Sequence, residues 1–397
     1  FNTAAGGFAL YSNTTGANNS AVGTYSLRLN TTGSGNTAVG VSSLYSNTFG
    51  SYNAAFGLEA LSHNTGGNNN TANGVYALHE NTTGNSNAAF GYQSLYNSIG
   101  DNNTATGSNA LFGNTTGSNN TAVGTNALVS NNSGNGCVAI GFNAMRTSQQ
   151  SSFNVAIGDS ALYNYNNTGL VFDYLVATGH AALLSNTSGY YNTATGANSL
   201  YSNTTGFNNC ATGTFSLRGN TTGNGNTATG VSALYSNTTG SNNAAIGLEA
   251  LSQNTSGQKN TANGAYALHN NVTSSNNTAT GYQALYNSTA GDNTAVGSNA
   301  LFSNTTGNSN TAAGSETLSS NTTGSTNTAF GRKALGANAD GGSNTAIGAY
   351  SLFGNTSGSS NTAAGVDALG SNSTGSQNVA VGREALYFST TGYSNTS

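Results

Sequence analysis

Small apolar residues recur in fixed phase with polar ones along the whole chain. The stretch 226–242 shows the phase: Asn-Thr-Ala-Thr-Gly-Val-Ser-Ala-Leu-Tyr-Ser-Asn-Thr-Thr-Gly-Ser-Asn. Counted from its first Asn, slot 3 is Ala, slot 5 Gly, slot 9 Leu, slot 12 usually Asn and slot 15 usually Gly. Twenty-three such units follow one another, each with Ala two residues before the slot-5 Gly. Each has Leu four residues after that Gly, except for Met145. Self-similarity at a short fixed period is the mark of a repeat architecture.

The pattern predicts strands and turns. Slots 2 and 4 are mostly Thr, Val, Ile, Ala or Phe, as at Val155 and Ile157, and they flank a constant Ala. Alternation with β-branched residues favours a strand. A second short strand is expected over slots 7 to 10. Slots 12 to 16 read Asn-Thr-Thr-Gly-Ser, a turn in which Asn and Gly tolerate positive φ. Two Gly and several Asn and Thr in every unit disfavour helix. The fold class expected is therefore all-β, a parallel β-solenoid (β-roll) of about 23 coils with a 17-residue repeat. Like residues then stack on like, and Asn ladders satisfy their amides from coil to coil.

Residues 1–397 form one predicted solenoid rod. The block 1–145 returns as 191–335 at an offset of 190: Leu58-Glu59-Ala60-Leu61 reappears as Leu248-Glu249-Ala250-Leu251. Residues 146–190 are irregular. Gly158 to Gly179 spans 21 residues, an insertion of about four. Its apolar stretch supplies candidate partner contacts at Leu170, Phe172, Tyr174 and Leu175, or a loop packed on its own rod. Both ends of the chain fall mid-unit, as in a mature product or a window cut from a longer array.

Composition narrows the class. Charged residues are 5%, net charge is −4, and there are 55 Gly and no Pro. The thin charge gives no basic patch for nucleic acid or anionic membranes. No apolar run is long enough for membrane insertion. Cys137 and Cys210 are 73 residues apart, about four coils, too far for an intrachain disulfide. One large core residue per coil, set against the entropy of ordering 17 residues, favours burying the semi-apolar stripes against copies of the chain. A parallel homo-oligomer is expected, a trimer first.

At Cys137-Val138-Ala139-Ile140-Gly141, Asn154-Val155-Ala156-Ile157-Gly158 and Asn378-Val379-Ala380-Val381-Gly382 the unit resembles the head repeat of trimeric autotransporter adhesins. The whole unit also resembles repeats of phage tail fibres and other bacterial surface proteins. The resemblance implies an extracellular or cell-surface filament, a homotrimer, that attaches to a surface glycan or host receptor.

Catalytic chemistry is not indicated. Glu59 and Glu249 share one slot of the duplicated block and so do His79 and His269, which makes them outward polar positions. Four His and two Cys at wide spacing suggest no metal site, and no cofactor motif is present. Asn-x-Ser/Thr sequons at Asn13, Asn30, Asn81, Asn114, Asn203, Asn237 and Asn304 are candidate glycosylation positions. The same residues also serve turn chemistry. Thr-Ala-Thr at 104–106, 193–195, 227–229 and 278–280 resembles an ice-binding ladder, though Phe56, Asn73, Phe90 and Ile246 interrupt that slot. The expected function is a non-enzymatic structural and adhesive fibre. An ice- or glycan-binding β-solenoid is the alternative.

Overall fold

A computed structural model describes residues 1–166 and 173–397. The chain divides into two compact units, Phe1–Thr205 and Gly206–Ser397. Each is a parallel β-solenoid. Among the described residues, the first unit carries twelve three-residue strands, from Thr3–Ala5 (β1) to Thr193–Thr195 (β12). The second carries eleven, from Cys210–Thr212 (β13) to Val379–Val381 (β23). No helix among the described residues is long and apolar enough to cross a membrane.

The strands occupy slots 2 to 4, where the β-branched residues lie. They stack slot on slot, as where Thr37, Ala38 and Val39 pair with Ala54, Ala55 and Phe56. The register survives changes in coil length. Ala88 pairs with Thr104 across a 16-residue coil, and Val155 pairs with Val176 across the 21-residue one. In β2 to β23 the slot-3 Ala faces inward and is fully buried, as are Ala38 and Ala228, while slot 4 faces outward; in β1, at the end of the stack, Ala4 is exposed.

The second strand expected over slots 7 to 10 does not form. Slot 7 and slot 9 both lie in the left-handed region, with φ of 56° at Ser232 and 53° at Leu234. Left-handed residues break the in–out alternation of an extended chain, so Ala233 and Leu234 are neighbours that both face the core. The segment is folded by tight turns. Ala233 N donates to Gly230 O at 3.4 Å, and Asn237 N donates to Leu234 O at 3.2 Å. Bonds between coils continue without extended backbone. Ser232 N donates to Thr214 O, Leu234 N to Ala250 O and Ser236 N to Ser252 O, all within 3.0 Å. A left-handed Leu costs roughly 1–2 kcal/mol. Burying its side chain, worth about 2 kcal/mol, offsets this.

Asparagine completes the core. Asn36 Nδ2 and Asn47 Nδ2 both donate to Gly50 O, each at 2.9 Å. The slot-12 amides also run along the stack: Asn47 Nδ2 donates to Asn30 Oδ1 at 2.7 Å. In the slot-1 ladder the backbone N of Asn36 donates to Asn19 Oδ1 at 2.9 Å. The second unit repeats this with Asn226, Asn237 and Gly240. These amides are buried to 2% exposure or less.

Glycine at slot 5, and at slot 15 where it is present, stands in tight space. A Cβ at Gly230, whose φ is +132°, would lie 2.5 Å from Gly247 O. A Cβ at Gly240 would lie 2.4 Å from Asn237 Oδ1, 2.5 Å from Gly257 O and 2.8 Å from Asn254 Nδ2. These close contacts are with backbone and hydrogen-bonded amides, which have little room to yield. Gly240→Ala is therefore expected to destabilise the second unit by about 2–4 kcal/mol, and exposed Thr239→Ala by less than about 0.5 kcal/mol. Chemical denaturation of the two variants measures the contrast.

Candidate functional site

The ladders change character in three successive coils of the first unit. Slot 1 is occupied there by Cys137, Asn154 and Leu175. Slot 12 is occupied by Ser148, Tyr165 and Asn186. Leu175 keeps its slot-1 backbone contact, its N donating to Asn154 Oδ1 at 2.8 Å, while its side chain replaces an amide with hydrocarbon. Tyr165 is fully buried where a slot-12 Asn would stand. Ser151 replaces the slot-15 Gly and hydrogen-bonds Ser148 side chain to side chain. Cys137 Sγ is directed at Ser151 O, 3.3 Å away.

This substituted core contains Asp173, fully buried. Its Oδ2 accepts from Asn154 Nδ2 at 3.4 Å. Burial raises the Asp173 carboxyl above its ordinary value, against the opposing pull of hydrogen bonds from Tyr165, Asn154 and the Ser152 backbone. Burial also pushes the Cys137 thiol up to about 11, with the Asn154 backbone pulling the other way. A thiol held that high is protonated at neutral pH and chemically quiet. Cys210, in slot 2, is exposed, and both thiols are free.

Of the four candidate contact residues, Leu170 and Phe172 lie outside the described residues. Leu175 is fully buried in the core. Tyr174 is at the surface, half exposed, with its ring stacked between Phe153 at 6.3 Å and Tyr191 at 5.9 Å.

The seven sequon asparagines are slot-12 residues. Six of them are fully buried, and Asn13, in the first coil, is half-buried. The Nδ2 that would carry a sugar is occupied in the ladder: Asn30 donates to Asn13 Oδ1 and Gly33 O, and Asn237 donates to Asn220 Oδ1 and Gly240 O. A glycan there requires the coil to be open when it is attached.

Outward slots form columns. The Thr-Ala-Thr segments put slot 2 half-buried or exposed and slot 4 outward. Aromatic rings stack from coil to coil, as Tyr96 on Phe112 at 5.3 Å and Tyr286 on Phe302 at 5.4 Å. Arg28 lies over Tyr25 and Tyr45.

Stacking also creates proximity that linear spacing hides. Glu59 and His79, 20 residues apart, meet at 2.9 Å, and Glu249 and His269 meet at 3.0 Å. Sequence spacing treated these as separate outward positions. The signal that finds them is a separation near 17, because one period is one coil.

The chain matches no protein-family model, no curated protein and no solved structure.

Two outcomes follow from the substituted core. A thiol reagent should modify Cys210 in the folded protein and reach Cys137 only on unfolding, as peptide mapping would read. The folded-state value of Asp173 lies above its unfolded one. Its contribution to stability is therefore full below the ordinary carboxyl range and is lost as pH rises through the raised value. Asp173→Asn should raise the melting temperature at neutral pH and leave it unchanged in acid, flattening the pH profile.

Proposed function

We infer that the protein is a non-enzymatic structural and adhesive fibre component that presents a repetitive surface outside the cell. The observation that carries this reading is the division of slots. Slots 1, 3, 8, 9, 12 and 15 face inward and keep nearly the same residues in every regular coil. Slot 4 beside them is Val39, Phe56, Asn73, Phe90 and Thr106 in successive coils. The frame thus tolerates an arbitrary surface, as suits a spacer or a presenting scaffold. The resemblance of the repeat to adhesin heads and phage tail fibres points the same way, toward a receptor at a cell surface.

Self-association belongs to this reading. Slots 4 and 6 flank the slot-5 Gly and carry Val39, Val41, Phe56, Leu58, Phe90 and Tyr92, each 38–49% exposed. Exposed apolar patches of this kind mark interaction surfaces. Another copy of the chain in parallel register offers the same stripe at the same rise, so each coil meets its equivalent. Three chains is the specific expectation.

The ring columns favour this reading over a glycan- or ice-binding face. Stacked rings cover one another's faces, and a sugar needs an open ring face. The Thr column is broken by Phe and Ile, which disturbs the regular spacing an ice lattice needs.

Sedimentation velocity on the purified chain tests the self-association. Three chains per particle are expected, falling to one when Val39, Phe56 and Phe90 are replaced by Ser, with the far-ultraviolet spectrum unchanged. A parent chain that sediments as a monomer at tens of micromolar would contradict it.

A further inference from the structure

His63, His79 and Glu80 come from two successive coils, residues 53–69 and 70–86. Their donor atoms lie within 4.8 Å of one another. His63 Nδ1 is 3.4 Å from Glu80 Oε2, and His79 Nδ1 is 2.9 Å from Glu80 Oε1. A tetrahedral ion with bonds of about 2.0–2.1 Å needs ligand atoms about 3.3 Å apart. The three side chains therefore reach that arrangement with shifts of a few tenths of an ångström at the closest edges and somewhat more at the widest.

The surroundings prepare one imidazole for this role. His79 Nε2 is 2.9 Å from Glu59 Oε2. With Nε2 donating to that carboxylate, the Nδ1 lone pair points toward Glu80 and His63. A carboxylate behind a metal-binding imidazole sets the tautomer and the ring orientation in the same way. The ring is also fixed by packing. Tyr96 stacks on it at 5.0 Å with 10° between planes, and Tyr76 meets it edge-on at 5.5 Å. The His79 side chain is only 8% exposed, while His63 and Glu80 open to solvent. An ion would thus enter from outside and rest against a rigid inner ligand.

The duplicated block separates packing from ligation. There His269 Nε2 lies 3.0 Å from Glu249 Oε2, and Tyr286 stacks on the ring at 5.0 Å and 7°. The frame is therefore repeated. Gln253 and Asn270 stand 190 residues after His63 and Glu80. The second imidazole and the second carboxylate belong to the first block alone, and the shared frame does not require them.

We propose that His63, His79 and Glu80 form a site for one divalent transition-metal ion of the zinc class. Glu59 is the positioning residue for His79, and a fourth coordination position faces solvent. Two imidazoles and one carboxylate suit zinc and its neighbours and not calcium or magnesium, which take oxygen ligands. The ion ties two successive coils together through side chains from both. Its open position can accept water or a donor from another molecule.

The test is titration calorimetry with Zn²⁺ on the full chain, stripped with chelator and free of any affinity tag. One ion per chain is expected, with micromolar or tighter affinity. Glu59→Gln should weaken binding about 10- to 100-fold. His63→Gln with Glu80→Asn, which copies the second block, should weaken it at least as much. Gln253→His with Asn270→Glu should raise the stoichiometry from one ion to two. Absence of binding in the parent, or unchanged binding in the His63→Gln, Glu80→Asn variant, overturns the proposal. If that variant is destabilised, the reciprocal one decides: two ions per chain support the site, and one ion overturns it.

Discussion

Everything in the coil depends on one carbonyl. The slot-15 Gly O accepts from two buried amides of its own coil, as Gly50 O does from Asn36 and Asn47. Each amide is bonded in turn to the coil before it. Buried polar groups are tolerable only when satisfied, and here the two amides share an acceptor that backbone geometry holds in place. Glycine suits most coils, because a Cβ there would occupy the space of the amide atoms, although Ser274 O accepts the same two amides. The composition follows from the shared acceptor. A core built from Asn, Ala and one Leu per coil needs few large apolar residues, and a surface made of turns needs few charges. Ala, Leu and the laddered amides fill the interior of the coils, and packing against another copy would use the exposed slot-4 and slot-6 positions.

Much of the fold was legible because stacking turns repetition into contact. A constant Ala between β-branched residues marks the strand. A constant Asn marks a ladder, since an amide above an amide bonds along the stack. The path between the strand and the Asn-Thr-Thr-Gly turn was not legible. Val231, Ser232, Ala233 and Leu234 have ordinary strand propensities, yet Ser232 and Leu234 are left-handed. Local preference cannot reveal that choice, because it is imposed by the closure of a 17-residue coil. With Gly230 starting the turn and Asn237 N bonded to Leu234 O, the chain must reverse within a few residues, and alternating φ does so while aiming both Ala and Leu inward.

The surface was less legible than the core for a related reason. Residues far apart in the chain become neighbours when their separation is near the period, so His63 and Glu80, at 17 residues, are adjacent, whereas two histidines counted along the sequence look isolated. Leu175 shows the reverse case. It lies at the end of the most apolar stretch, readable as a partner contact or as a loop packed on its own rod, and the position it fills is slot 1 of the next coil, where it is core. Phase, not hydrophobicity, decides which residues face out. The sequons follow the same phase. Asn-Thr-Thr-Gly has the form of a glycan acceptor, and phase turns its amide inward.

The irregular coils show how far the frame can bend. In the 16-residue coil, slot 12 is Ser98, and Asn114 Nδ2 still finds its Oγ at 3.0 Å. The duplicated block has Ser288 there, accepting from Asn304 at 3.4 Å. A hydroxyl thus substitutes for an amide where the turn is one residue shorter. At Tyr165 and Leu175 the ladders are replaced outright by larger side chains, and the amides resume at Asn186 and Asn192. Such defects remain local because each coil bonds only to its neighbours, so stability is close to a sum of nearest-neighbour terms. A break weakens two interfaces and leaves the others intact. The same property allows the outward slots to diverge coil by coil. His63 and Glu80 can therefore arise in one block and not in its copy without any change to the frame that holds His79 and His269.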